Sequence, residues 1–132
     1  MGDKIKILSD YRLEKAKQDL ETARITFEHN KLAQSTNRSY YAIFHALRAL
    51  LAYDKFDSKK HSSIIGYFNK AYIANGKIDR VYYKMLAKAF DIRTKSDYQD
   101  FYIVNREEAK NQLKNAEEFI RMIELYLKKS IL

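Results

Sequence analysis

Apolar residues recur along the chain at spacings of three and four, the repeat that lines one face of an α-helix, and no stretch alternates with the period of two expected of a half-buried strand. Leu13, Ala16, Leu20, Ala23 and Phe27 form a narrow stripe, with Ser9 or Asp10 as the expected cap of a first helix running to about Asn30. A second helix is expected from Ser35 or Thr36 to about Tyr53, where the charged, turn-forming stretch DKFDSKK ends it. The third runs from about Lys60 to Ala74 and stops at Asn75 and Gly76, where glycine can take the left-handed conformation that closes a helix. Asp79 is placed to cap a fourth, which carries Val81, Met85, Leu86 and Phe90 toward Ile92 before a polar turn around TKSDYQD. Asn105 and Glu108 form a capping pair for the last helix, whose Ala109, Leu113, Ala116, Ile120, Ile123 and Leu127 alternate four and three without a break. The pattern predicts an all-α fold, an antiparallel bundle of four to five helices forming one domain over residues 1–132.

The second helix has an unusual composition. RSYYAIFHALRALLAY, Arg38 to Tyr53, contains almost none of the Lys and Glu that mark a solvated face. Wound at about 100° per residue, it gathers Tyr40, Ile43, Phe44, Leu47, Leu50 and Leu51 on one side, the expected core face. The other side holds Arg38, Tyr41, Ala42, His45, Arg48, Ala49 and Ala52. Small residues allow close approach, so another helix, a second subunit or a ligand is expected to cover this face. The plainer alternative is packing within the chain, with Arg38 and His45 paired to Asp or Glu.

Charge adds a direction. Twenty-five Lys and Arg against seventeen Asp and Glu give a formal net charge of +8, which favours nucleic acid or another acidic partner. A lysine-rich solvated surface gives the same total. The absence of cysteine excludes disulfides, thiolate metal sites and cysteine nucleophiles. The first residues, MGDKIKILSDYR, are charged where a secretory signal needs an apolar run, and no segment has transmembrane length, so a cytoplasmic protein without membrane contact is expected. No Glu-x-x-His pair, glycine-rich phosphate loop or His-Glu-x-x-His motif is present, and neither metal nor cofactor is expected.

Arg38 and His45 carry the candidate chemistry. They lie two turns apart on one face, with about 10 Å of rise between their Cα atoms. A guanidinium can hold a phosphate through two hydrogen bonds, and an imidazole can move a proton near neutral pH. Together they suit RNA cleavage, in which His45 takes or returns the proton and Arg38 stabilises charge on the phosphoryl group. Tyr41 and Arg48 share that face and are candidate binding residues. Lys60 and His61, at the start of the third helix, are candidate phosphate ligands or a solvated basic turn. Arg93, with Asp97 and Tyr98, is read as a structural clasp in preference to a nucleotide contact. His29 is read as a surface or capping residue.

NRSYYAIFHALRALL, KKHSSIIGYF, IRTKSDY and EEAKNQLKNAEEFIRMIELYL together resemble the HEPN-domain family, specifically its small stand-alone bacterial and archaeal proteins, over about Tyr11 to Leu127. The resemblance implies a helical bundle, commonly a homodimer, often encoded beside a minimal nucleotidyltransferase in a system of toxin-antitoxin type. It also implies that active members are metal-independent ribonucleases with an Arg-x4-6-His motif at the dimer interface. Arg38 and His45 match that spacing, and dimerisation offers one account of the alanine-lined face. Leu47 stands two places after His45, where many toxin members carry a tyrosine that the partner can modify with AMP. The expected function is therefore action on RNA, with a non-catalytic nucleotide- or partner-binding dimer, or a purely structural helical dimer, as the alternatives.

Overall fold

A computed structural model describes residues 2–131. It contains α1 (Gly2–Glu28), α2 (Leu32–Ala52), α3 (His61–Phe68), α4 (Arg80–Tyr98) and α5 (Arg106–Ile131), with a π-helical turn over Asn69–Ile73 extending α3. No strand occurs among the described residues, and none of their helices is long and apolar enough to cross a membrane.

The short connection after α1 folds α2 back along it. Ser9 Oγ donates to the Ala49 carbonyl at 2.8 Å, and Ser35 Oγ donates to the Ala23 carbonyl at 2.8 Å. Residue numbers therefore rise along one helix as they fall along the other. α5 is likewise antiparallel to α1, with Lys17 Nζ 2.9 Å from Glu124 and Arg24 Nη2 3.4 Å from Glu117. α2 lies at the centre, packed against α1, α4 and α5.

All six residues expected on the core face of α2 are buried, Leu47 completely. Phe68, Leu86, Phe119 and Ile123 complete the core around them. On α5 the expected stripe packs inward, joined by Phe119 and Gln112. The alanine face has an intrachain cause. Ala42, Ala46, Ala49 and Ala52 are buried, and the serine bonds align this side of α2 with the Ala16 and Ala23 stripe of α1. The alanines need no second subunit to cover them.

Three boundaries differ from the expected ones. α1 begins at Gly2, because Ser9 spends its hydroxyl on α2 rather than on capping. α2 begins at Leu32, and Ser35 and Thr36 lie inside it, where the hydroxyl of Ser35 bonds across to α1 and that of Thr36 to Ala33 O. α4 continues through the supposed polar turn to Tyr98, its last turns carrying Asp91–Lys95 and Arg93–Asp97 ion pairs at 3.1 Å each.

The other signals act as expected. Gly76 has φ of +78°, and Asp79 accepts from the Val81 N–H at 2.8 Å. Asn105 accepts from the Glu108 N–H at 2.7 Å, whereas the Glu108 carboxylate accepts from Tyr102 instead of closing a reciprocal cap.

Candidate functional site

The polar edge of α2 remains only partly covered once α1 has taken the alanines. Arg38, Tyr41, His45 and Arg48 follow one another along it at spacings of three and four. Asp19 of α1 faces the first part of this edge. Its Oδ1 accepts from Arg38 Nη1 at 3.1 Å, and its Oδ2 lies 3.6 Å from His45 Nε2. One carboxylate thus bridges the two residues whose separation along the helix left direct contact open. The 3.6 Å approach is too long for a hydrogen bond, and both Asp19 Oδ2 and His45 Nδ1 are buried without a hydrogen-bond partner. Arg38 is held further by Asn37, whose Oδ1 accepts from Nε at 3.2 Å and Nη2 at 2.7 Å.

Burial, with Lys15, Arg48, Arg38 and Arg12 nearby, pushes the His45 pKa down to about 4. The ring is therefore neutral at pH 7 and a weak base there. Burial raises the Asp19 carboxyl, opposed by Arg38 and Lys15.

Tyr41 connects this cluster to α3 and α4. The Arg38 guanidinium lies 4.9 Å from its ring centroid and that of Arg93 5.4 Å, with the His45 ring 5.9 Å and the His61 ring 6.0 Å away. His61 stacks on Phe44 at 4.1 Å, and its Nδ1 is 2.6 Å from the Tyr40 hydroxyl. Burial, then the charges of Arg93 and Arg48, lowers the His61 pKa, whereas burial raises that of Tyr40. A neutral imidazole accepting from the neutral phenol satisfies both directions. Arg93 pairs with Asp97 along α4 and also reaches the Tyr40 ring at 5.5 Å, so it is a clasp that touches the cluster.

Of the expected site residues, Arg38, Tyr41, His45, His61 and Arg93 come together directly. Arg48 stands one turn beyond His45 and chelates Asp57 through Nη2 at 2.8 Å and Nε at 3.3 Å. Lys60 precedes α3 with an exposed side chain and no side-chain capping bond. His29 lies apart, its Nδ1 2.9 Å from the Ile25 carbonyl at the end of α1.

Sequence reasoning missed Asp19, Asp57 and Arg12. For Asp19 a signal exists: it falls three residues after Ala16 and four before Ala23, so a carboxylate borders the buried stripe. No group of three or more His, Asp or Glu able to hold a metal occurs among the described residues.

Comparison with known proteins gives this arrangement a family context. The family model of the HEPN domain matches residues 9–126, a span containing every candidate site residue. A Methanocaldococcus jannaschii protein named "Putative toxin MJ0605" is 34% identical over 116 residues, covering 88% of this chain and 86% of the relative. A Thermotoga maritima protein of the group named UPF0332 is 30% identical over 124 residues, covering 94% of this chain and 93% of its own. The match across five helices and the whole of this site identifies the chain as a member of the HEPN domain family.

Proposed function

We propose that the protein is a metal-independent ribonuclease, the toxin-like half of a two-component system whose other half is a minimal nucleotidyltransferase, and that it works as a cytoplasmic homodimer of one-domain subunits. The observation carrying this reading is the convergence of Arg38 and His45 on one carboxylate at a half-open edge of α2. The toxin in the name of the Methanocaldococcus jannaschii relative supports the biological setting.

The chemistry follows from the two groups. His45 takes the proton from a ribose 2′-hydroxyl, and that oxygen attacks the adjacent phosphorus. The O2′–P bond forms as the P–O5′ bond breaks, leaving a 2′,3′-cyclic phosphate, and the imidazolium returns its proton to the leaving 5′-oxygen. Arg38 donates to the phosphoryl oxygens as they gain charge. Tyr41, Arg48, Lys60, His61 and Arg93 bind the flanking strand.

A second reading rests on the same carboxylate. Asp19 lies against both Arg38 and His45, as a polar cluster organising a non-catalytic nucleotide- or partner-binding dimer would require. Incubation of purified protein with mixed RNA in EDTA separates the two. Cleavage by the wild type, with loss of at least about a hundredfold in folded Arg38→Ala and His45→Ala variants, is the expected result. Equal cleavage by His45→Ala excludes the assigned base, and inactivity of all three proteins favours the binding reading.

A further inference from the structure

Beyond His45 the polar edge of α2 opens into a cavity of about 530 Å³ lined by Phe44, Arg48, Asp57, Ser58, Lys59 and His61. Two guanidinium groups converge on one carboxylate at its rim. Arg48 binds Asp57 through two nitrogens, and Arg12 Nη2 reaches the same Oδ2 at 3.2 Å. Arg12 is fixed in place by a second bond, Nη1 to the Arg48 carbonyl at 3.0 Å. Lys59 adds an exposed cation to the lining, while the one carboxylate, Asp57, is already shared by two guanidinium groups. On the apolar side the His61 ring lies nearly parallel to Phe44, at an interplanar angle of 22°.

Forked guanidinium groups fit a phosphate as they fit a carboxylate, and a supported aromatic ring offers a base a stacking surface. Resting on the ribonuclease reading, we infer that this cavity is a second subsite for single-stranded RNA, in which a backbone phosphate displaces Asp57 from Arg48 and Arg12. The neighbouring base stacks against the His61–Phe44 pair, and Lys59 faces the phosphate from outside. The nucleotide held here adjoins the one cleaved, because Arg48 follows His45 by one helical turn. An acidic peptide would satisfy the cations but leave the ring pair unused.

The test uses the full-length protein and a fluorescent 2′-O-methyl oligouridylate about eight nucleotides long, which cannot form the cyclic phosphate, with anisotropy read over a range of salt. Lys59→Gln should weaken binding roughly threefold and flatten the slope of log affinity against log salt by about 0.7, the loss of one phosphate contact. Asp57→Asn should strengthen binding, because the phosphate no longer competes with a carboxylate. A merely structural clasp predicts the reverse for Asp57→Asn, since loosening Arg12 and Arg48 would weaken whatever binds. Unchanged affinity in Lys59→Gln, weaker binding in Asp57→Asn, or competition by polyglutamate as strong as by unlabelled RNA overturns the subsite. RNA cleavage by a wild type whose affinity ignores both substitutions removes the subsite and leaves the ribonuclease. The expected affinity changes in a protein that never cuts RNA keep the subsite and remove the catalysis.

Discussion

His45 is the residue at which burial and charge act together. With its pKa near 4, the folded protein takes up this proton only in strong acid, whereas the unfolded chain binds it from about pH 6.5 downward. Between those values the unfolded state holds more protons, so stability falls as pH drops, by on the order of 3 kcal/mol for this group alone. His61, also lowered, acts in the same direction. Asp19 acts oppositely, because its raised carboxyl favours proton uptake by the folded state and returns some stability in acid. Urea unfolding at pH 7 and pH 4.5 should therefore show a smaller loss in His45→Gln than in the wild type. Equal losses would mean that His45 is already solvated. The environment of this ring was only partly legible in the sequence. Arg38 and His45 stood out by helical spacing, but Asp19 is brought to them by a tertiary contact, and one sequence does not specify the rotation of α1 against α2.

At the scale of the elements, the meeting of α1 and α2 depends on small side chains. Ala16 and Ala23 on one helix and Ala42, Ala46 and Ala49 on the other are fully buried, and the two serine-to-carbonyl bonds span the same seam. Such a contact has no space for added methylenes. Ala16→Leu should cost about 1–3 kcal/mol through overpacking and Ser9→Ala about 1 kcal/mol, both read as a lower midpoint in thermal unfolding. A leucine variant melting with the wild type would show that the seam is loose. Helical period located all five helices and the buried side of α2, because both follow from local geometry. It misjudged where α1, α2 and α4 begin or end, because Ser9, Ser35 and the Arg93–Asp97 pair serve packing and helix continuation instead of termination. A small, featureless face likewise records that something approaches closely without recording which segment does so.

At the scale of the whole molecule, α2 is the shared wall of the bundle, and the candidate site is assembled along its partly covered edge. Asp19 and Arg12 come from α1, Asp57 and His61 from the α2–α3 connection and the first turn of α3, and Arg93 from α4. α5 does not supply a site residue; it contributes Ala109, Ala116, Phe119, Ile120 and Ile123 to the core and Glu117 and Glu124 to ion pairs with α1. Between α4 and α5 the loop exposes Phe101 at 95% and Ile103 at 84%. A brief digestion with chymotrypsin should consequently nick the chain first after Phe101. The two pieces should elute together by gel filtration and part only in denaturant, because the cut removes a tether and none of the buried surface. Fragments that separate in buffer would show that this peptide link contributes to holding α5. If the nicked protein persists, α5 can be supplied as a separate peptide, and an isotope-labelled or cross-linkable last helix can be exchanged into the protein without altering a single residue of the candidate site.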